Sequence, residues 1–202
     1  MDLVKSTFLV KESAPVLEAI FKLHFPKAET VLDATYGHGR FWLWDYKFKL
    51  TGTDIDPDRA KDAVCSFEQL TFTDKSFDVV VLDPPFFEKQ AHWQESKRGV
   101  EYGTNLNYDN KCNGTIDTYM NGISEAFRVC KSGIIVKCKD MIYSGKSVWI
   151  HNIIMNKVAQ KFGIFPYDKA IQIFDGTLIT SPTWKTQHHF RRQESYYLIY
   201  KI

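Results

Sequence analysis

The 202-residue sequence lacks several features that would assign it to a specialised class of protein. No stretch approaches the roughly 20 consecutive apolar residues of a membrane span. The formal net charge of +2 excludes a basic coat over the whole chain but allows a local basic patch. The four cysteines form no CxxC pair and no Cys/His cluster with metal-ligand spacing, which favours reduced thiols and predicts no metal site. The expectation is a soluble, cytoplasmic enzyme or binding domain.

Internal repeats, low-complexity tracts and interdomain linkers are missing too, whereas 44% of the residues are apolar and 15% are aromatic. A chain of this size can bury one core, so residues 1–202 are predicted to form a single domain. Strand-like and helix-like segments alternate, which is typical of a doubly wound α/β sheet. Strands are predicted at residues 30–33, 50–54, 66–72, 77–83, 133–138, 170–174 and 196–200, and helices at 13–25, 115–129 and 148–162. Short helices are expected after Gly39 and from Pro57, and Trp42 and Trp44 are expected to pack the first helix against the sheet.

One predicted strand ends abruptly. Residues 79–82 are apolar and mostly β-branched, and they are followed by Asp83, Pro84, Pro85 and Phe86. Neither proline has a backbone N–H and both fix φ, so the chain must leave the sheet there. Open α/β sheets bind ligands at the carboxyl ends of their strands. Asp83 and Phe86 are therefore predicted to lie on a rigid support at the ligand edge.

A second predicted strand ends in an acidic, glycine-containing turn. Asp33 begins this turn, and Gly37 and Gly39 lack side chains that would keep a ligand away from the backbone. Asp54 ends the next strand about 20 residues further on, where an acid can accept hydrogen bonds from both ribose hydroxyls. Trp42 stands where a dinucleotide motif has its third glycine. The turn therefore suits a cofactor without a pyrophosphate, and Asp33 would favour an ammonium or sulfonium group over a phosphate.

Three segments together resemble a known enzyme family. Residues 31–39, 52–57 and 83–86 resemble, in order and spacing, the first, second and fourth motifs of class I S-adenosylmethionine-dependent methyltransferases. The last segment matches the [DNS]-P-P-[YFW] signature of the branch that methylates exocyclic amino groups. Residues 39–42 and 187–192 resemble segments of small phage-type DNA adenine methyltransferases. The resemblance implies a mostly parallel, seven-stranded Rossmann-like sheet whose last strand is antiparallel.

The resemblance also implies S-adenosylmethionine as the cofactor. The residues that it assigns to cofactor binding are Asp33, Thr35, Tyr36, Gly37, Gly39, Asp54, Ile55 and Ser66. Ser66 is a departure, because family members carry an acid at this third-strand position, facing the adenine of the cofactor. The adenine contact is therefore left open by the sequence.

The resemblance assigns catalysis to Asp83, Pro84, Pro85 and Phe86. The exocyclic amine of adenine is a poor nucleophile, since its lone pair is delocalised into the ring. Hydrogen bonds to Asp83 and to the carbonyl of Pro84 favour a pyramidal nitrogen whose lone pair points at the methyl group. Phe86 is expected to stack on a base rotated out of its helix. The expected activity is methylation of adenine N6 in DNA.

Two stretches are candidates for nucleic-acid contact. Residues 87–114 form a long polar and aromatic segment without a clear period, which is interpreted as an inserted loop on the substrate side. A basic turn at residues 185–192 precedes the last predicted strand. Stacking and phosphate contacts are predicted for Trp93, Lys97, Arg98 and Tyr102 in the loop, and for Lys185, His188, His189, Arg191 and Arg192 in the turn. A mobile lid and a solvated basic turn are the alternatives.

Several other functions remain open from the sequence. The same corner, formed by residues 83–86, would serve an RNA adenine-N6 or a cytosine-N4 methyltransferase. A catalytically silent module would bind nucleic acid without transferring a methyl group. A glutamine methyltransferase is disfavoured, because its signature begins with asparagine where this chain has Asp83. A nicotinamide oxidoreductase is disfavoured, because it would need the third glycine that Trp42 replaces here. The target sequence is not readable, so a second copy of the chain or a recognition partner is a further expectation.

Overall fold

The computed structural model describes residues 4–85, 112–143, 146–175, 188–190 and 192–202. Its helices are α1 (Ala14–His24), α2 (Cys112–Val129) and α3 (Ile150–Phe162), with a 3-10 helix at Arg40–Trp42. Its strands are β1 (Thr7–Leu9), β2 (Thr30–Asp33), β3 (Lys49–Asp54), β4 (Ala63–Val64), β5 (Phe77–Leu82), β6 (Cys130–Cys138), β7 (Met141–Tyr143), β8 (Lys146–Val148), β9 (Asp168–Ile173) and β10 (Glu194–Lys201).

The main sheet has the strand order β1-β9-β10-β6-β5-β2-β3-β4. Strand β10 is antiparallel to both of its neighbours, while the other pairs are parallel. The predicted doubly wound, mostly parallel sheet with an antiparallel last strand is confirmed. Strand β1 makes the sheet eight-stranded rather than seven-stranded. With only 3 residues it has no detectable period, and its pairing with β9 defines it.

The region between β3 and β5 differs from the prediction. The third strand lies at Ala63–Val64, not at residues 66–72, because pairing with β3 selects it: Thr53 is opposite Ala63 and Asp54 is opposite Val64. Residues 66–72 form turns instead, and the N–H of Leu70 donates to the carboxylate of Glu125 at 2.8 Å rather than to a strand. The helix expected from Pro57 is only a turn.

The helix expected after Gly39 is reduced to the 3-10 helix, since an aromatic cluster takes up the following residues. The rings of Trp42 and Trp44 each lie 5.9 Å from that of Phe21 in α1. Tyr46 and Phe48 stack at 4.8 Å beside them. The prediction that Trp42 and Trp44 pack the first helix against the sheet is confirmed.

Residues of the central strands alternate between two buried faces. Val79 and Val81 of β5 face α1, whereas Val80 and Leu82 face α2 and α3. Burial on both faces explains why this strand is an unbroken apolar run. The same alternation puts the residue after Leu82 on the α1 face of the sheet.

No described helix is long and apolar enough to cross a membrane. The three cysteines whose side chains are described, Cys65, Cys130 and Cys138, are buried free thiols.

Candidate functional site

Three acidic residues meet at the carboxyl edge of the sheet. Asp33 ends β2 and Asp54 ends β3, while Asp83 follows directly after β5. These strands are neighbours in the order β3-β2-β5, so their carboxyl ends lie side by side. The carboxyl edge of an open α/β sheet is where ligands bind.

The carboxylate of Asp33 is held by its own turn. Its side chain is buried, with Oδ1 accepting the backbone N–H of Thr35 at 3.0 Å and Oδ2 accepting Nε1–H of Trp42 at 2.7 Å. Burial raises the pKa of Asp33 from 3.8 to about 7, although the bonds from Trp42 and Thr35 oppose the rise. Trp42, at the position of the third glycine in a dinucleotide motif, fixes this acid through its indole. The indole contact is a feature that the sequence interpretation missed.

Thr35 connects the glycine turn, residues 33–39, to the end of β5. Its Oγ1 accepts the backbone N–H of Asp83 at 2.7 Å. The N–H of Ala34 donates to the carbonyl of Val81 at 3.1 Å. The turn and the Asp83 corner are therefore one connected unit, and a displacement of either would break a hydrogen bond to the other.

The two glycines of the turn have different surroundings. Both have positive φ, +54° for Gly37 and +66° for Gly39. A Cβ on Gly39 would lie 2.6 Å from the Tyr36 hydroxyl, so the Tyr36 ring uses the space that the glycine leaves. A Cβ on Gly37 would meet only the Thr35 carbonyl oxygen at 3.9 Å. Among the described residues nothing else crowds Gly37, and a ligand could approach its backbone.

Asp54 combines a structural role with remaining acceptor capacity. Its Oδ2 accepts the N–H of Gly37 and its Oδ1 accepts the N–H of Asp56, both at 2.9 Å. A carboxylate offers about four acceptor sites, so two hydroxyl groups can still be accommodated. Ile55 beside it is 44% exposed. Ser66 follows β4, whose carboxyl end lies next to that of β3, so the edge brings Asp54, Ile55 and Ser66 together.

Asp83 pairs with a lysine from the neighbouring strand. Leu82 lies opposite Val136, and the next residues, Asp83 and Lys137, bring Oδ2 and Nζ to 3.1 Å. Burial raises the pKa of Asp83 above its ordinary value, and the positive charge of Lys137 opposes that rise. Oδ1 is buried and accepts no hydrogen bond from the part of the chain that is described. This oxygen is a buried acceptor whose hydrogen-bonding capacity is unused among the described residues.

The remaining predicted catalytic residues follow Asp83. Pro84 is buried and Pro85 is exposed. Phe86 lies outside the described residues. The catalytic roles of Asp83, Pro84, Pro85 and Phe86 stay predictions.

Lys137 belongs to a polar network that the sequence interpretation also missed. Its Nζ donates to Oγ of Ser13 at 3.2 Å, and Ser13 donates to Oε1 of Gln172 at 3.1 Å. The hydroxyl of Tyr197 donates to the same Gln172 oxygen at 2.7 Å. The signal in the sequence is a lysine within the otherwise apolar stretch 133–138, since a buried ammonium requires an anionic or polar partner.

The connection that follows β6 contains an Asp–His pair. Asp140 is 1% exposed, and its Oδ1 lies 2.8 Å from Nδ1 of His151. The His151 ring stacks on Tyr196 with ring centroids 4.1 Å apart. These contacts tie the start of α3 to β6 and β10 at the same edge of the sheet.

Arg192, one of the predicted nucleic-acid contacts, packs against residues next to α3. Its guanidinium lies 4.5 Å from the ring centre of Trp149 and donates to Oγ of Ser147 at 3.0 Å. It precedes β10, which begins at the carboxyl edge because it runs antiparallel to β6. His188 is exposed and His189 is partly buried. The other predicted contacts lie outside the described residues: Trp93, Lys97, Arg98, Tyr102, Lys185 and Arg191.

Comparison with protein-family models and with curated proteins finds no match. Among solved structures, PH0851 is similar with a TM-score of 0.52 and 15% identity, over 94% of this chain and 45% of that chain. The chain thus spans less than half the length of PH0851. Protein 1320 of Thermoplasma acidophilum has a TM-score of 0.50 and 16% identity, over 93% of this chain and 86% of that chain.

A third similar structure is a SAM-dependent methyltransferase, possible histamine N-methyltransferase, from Thermotoga maritima. Its TM-score is 0.45 at 16% identity, over 92% of this chain and 86% of that chain. Likeness at these identities concerns the fold. The strand order and the antiparallel last strand described above, together with the likeness to PH0851 and protein 1320, establish that this chain has a Rossmann-like α/β fold.

Proposed function

We propose that this protein is an S-adenosylmethionine-dependent methyltransferase that acts on the exocyclic amino group of a nucleic-acid base, with adenine N6 in DNA as the first candidate. The observation that carries the proposal is the Asp83 corner. One carboxylate oxygen is held by Lys137, while the other is buried without a hydrogen-bond partner among the described residues, and Thr35 ties the corner to the glycine turn.

The edge beside β2 and β3 fits the cofactor. Gly37 leaves space next to its backbone, and Asp54 retains acceptor sites for two ribose hydroxyls. Ile55 offers exposed apolar surface to a purine, and Ser66 offers a hydroxyl. Asp33 supports the turn from a buried position, because its oxygens already accept hydrogen bonds from Thr35 and Trp42. When bound, the cofactor supplies an electrophilic methyl group on sulfur.

The Asp83 corner orients the amine. Oδ1 of Asp83 accepts one N–H and the carbonyl of Pro84 accepts the other, which directs the nitrogen lone pair towards the methyl group. A bound S-adenosylmethionine would supply the methyl group from its sulfonium and would leave as a neutral thioether. The methylated nitrogen then carries an acidic proton that leaves to water, so a strong general base is not required.

The direct test is methyl transfer from tritiated S-adenosylmethionine to duplex DNA, single-stranded DNA and RNA, followed by nucleoside analysis of the product. N6-methyladenine in DNA is the expected product; N4-methylcytosine or a methylated RNA base would reassign the target. Calorimetry with S-adenosylmethionine and NAD separates the methyltransferase from a nicotinamide oxidoreductase.

Asp83→Ala tests the role of the corner. Removing the acceptor is expected to lower the methyl-transfer rate at least about 100-fold, as loss of one preorganised electrostatic contact does. Cofactor affinity should persist because Asp54 and Gly37 are unchanged. Asp168→Ala, at the amino end of β9, is the matched control and should keep wild-type activity. Full activity of Asp83→Ala on purified nucleic acid would contradict the mechanism.

A further inference from the structure

The ammonium of Lys137 lies at a buried position in the sheet. The residue is 9% exposed, and its Nζ is 3.1 Å from Oδ2 of Asp83 and 3.2 Å from Oγ of Ser13. Its charge also faces aromatic rings, with ring centres at 4.9 Å for Phe41 and 5.8 Å for Tyr197. A carboxylate, a hydroxyl and two ring faces thus hold the ammonium in one place.

The alternation of side chains explains this meeting. Val81 of β5 and Ile135 of β6 both face α1, so the residues two positions later, Asp83 and Lys137, also point to the α1 face. Ser13 lies at the start of α1 on that same face. The pairing is therefore dictated by strand register, and neither partner can turn away without leaving a charge buried.

Ionisable side chains reach Asp83 from several packed elements. They are Asp33 from β2, Tyr119 from α2, Lys137 and Cys138 from β6, and Tyr197 from β10. Lys137 is the cation of this set. Burial favours the protonated carboxyl of Asp83 and raises its pKa, while the charge of Asp83 raises the pKa of Asp33. The positive charge of Lys137 favours the ionised carboxylate.

We propose that Lys137 is a positioning residue that keeps Asp83 ionised and occupies its Oδ2, so that Oδ1 is presented to the incoming amine. A protonated carboxyl would be a poorer acceptor for an amine N–H than a carboxylate. Fixing Oδ2 also fixes the direction of Oδ1. The identity of the amine rests on the proposed function, whereas the control of the Asp83 charge by Lys137 does not.

The test follows the Asp83 carboxyl directly. Protein labelled with ¹³C at the aspartate carboxyl is titrated by NMR, and the Asp83 signal is identified by its loss in Asp83→Asn. Lys137→Met removes the charge and keeps an unbranched side chain that is one atom shorter. The Asp83 midpoint is expected to rise by at least about 1 pH unit, while Lys137→Arg, which retains the charge, keeps it nearer the wild-type value. An unchanged midpoint in Lys137→Met overturns the proposal.

Reciprocal coupling provides a second measurement that does not need Lys137→Met to fold. If Lys137 favours the charged form of Asp83, Asp83 favours the charged form of Lys137 by the same free energy. In lysine labelled at Cε, the midpoint of Lys137 is expected to fall in Asp83→Asn. An unchanged Lys137 midpoint again overturns the proposal.

Activity and cofactor binding separate this inference from the proposed function. The acid limb of the pH–rate profile for methyl transfer is expected to move to higher pH in Lys137→Met, together with the Asp83 midpoint. Affinity for S-adenosylmethionine should change less than about threefold in Lys137→Met, because Lys137 contacts Asp83 rather than the Gly37–Asp54 edge. A loss of affinity above about 30-fold would make Lys137 a cofactor ligand and overturn the positioning role. Absence of methyl transfer by the wild type would refute the proposed function. The two titrations would still test whether Lys137 controls the charge of Asp83.

Discussion

Replacing Trp42 by Phe separates the hydrogen bond to Asp33 from the packing of the aromatic cluster. The phenyl ring retains contact with the neighbouring rings, whose centres lie 5.9 Å (Phe21) and 5.8 Å (Phe48) from that of Trp42. The substitution removes Nε1–H, which donates to Oδ2 of Asp33 at 2.7 Å. Because Asp33 is buried, the lost bond leaves an acceptor without its partner. The effect on the free energy of unfolding therefore depends on whether Asp33 is charged.

The protonation state of Asp33 changes within an accessible pH range. Burial raises its pKa to about 7 in the folded chain from an ordinary value of 3.8. Its contribution to the free energy of unfolding is therefore largest below the unfolded-state pKa and decreases as the pH rises to about 7. At pH 5 the carboxyl is mostly protonated, and at pH 9 it is mostly ionised. Loss of the Trp42 bond raises the pKa of Asp33 further, since that bond favours the carboxylate.

The expected magnitudes follow from the two kinds of hydrogen bond. At pH 9 the bond to the carboxylate contributes about 1.5–3 kcal/mol, and at pH 5 the bond to the neutral carboxyl contributes about 0.5–1.5 kcal/mol. Trp42→Phe should therefore destabilise the protein by about 1 kcal/mol more at pH 9 than at pH 5. Urea unfolding at both pH values, with linear extrapolation to water, measures the difference.

Trp44→Phe is the matched control. The Trp44 indole also packs against Phe21 at 5.9 Å, but its Nε1–H donates to the carbonyl of Phe41 at 3.1 Å. A peptide carbonyl does not titrate, so the loss of stability should be the same at pH 5 and pH 9. Equal losses at both pH values for Trp42→Phe would refute the linkage between this bond and the charge of Asp33.

Two further predictions concern the glycine turn and the basic turn. Gly39→Ala should destabilise the protein by about 1–3 kcal/mol more than Gly37→Ala, because both have positive φ but only the Cβ on Gly39 meets Tyr36, at 2.6 Å. Thermal unfolding measures both, and equal losses would argue against the role of Tyr36 in the turn. Arg192→Ala should weaken DNA binding and lower the slope of log affinity against log salt by about 1, whereas Trp149→Ala should leave the slope unchanged. An unchanged slope for Arg192→Ala would exclude phosphate contact by this residue.

Much of the sheet could be predicted from local pattern. Strand β2 and residues 79–82 of β5 are apolar and mostly β-branched, an acid ends β2 and β3 and follows β5, and Pro84 and Pro85 determine where β5 stops. Buried parallel strands are apolar on both faces, so the runs are visible without knowledge of their partners. The positions of Asp33, Asp54 and Asp83 at the carboxyl edge follow from these runs and from the parallel topology.

Short elements could not be predicted because their partners define them. Strand β4 consists of only Ala63 and Val64, and pairing with β3 selects it over the longer segment 66–72. Strand β1 likewise depends on β9. Two- or three-residue strands carry too little periodicity to be recognised, so their positions come from hydrogen bonds to chain segments far away in sequence.

The sequence by itself determined which acids end the strands and where the glycine turn and the Asp83 corner lie. Only the tertiary structure decided what each acid contacts: Trp42 for Asp33, Gly37 for Asp54 and Lys137 for Asp83. Strand ends depend on local composition, which can be read directly from the sequence. Side-chain partners depend on strand register and on which face of the sheet each residue occupies, and both are set by pairing between segments distant in sequence.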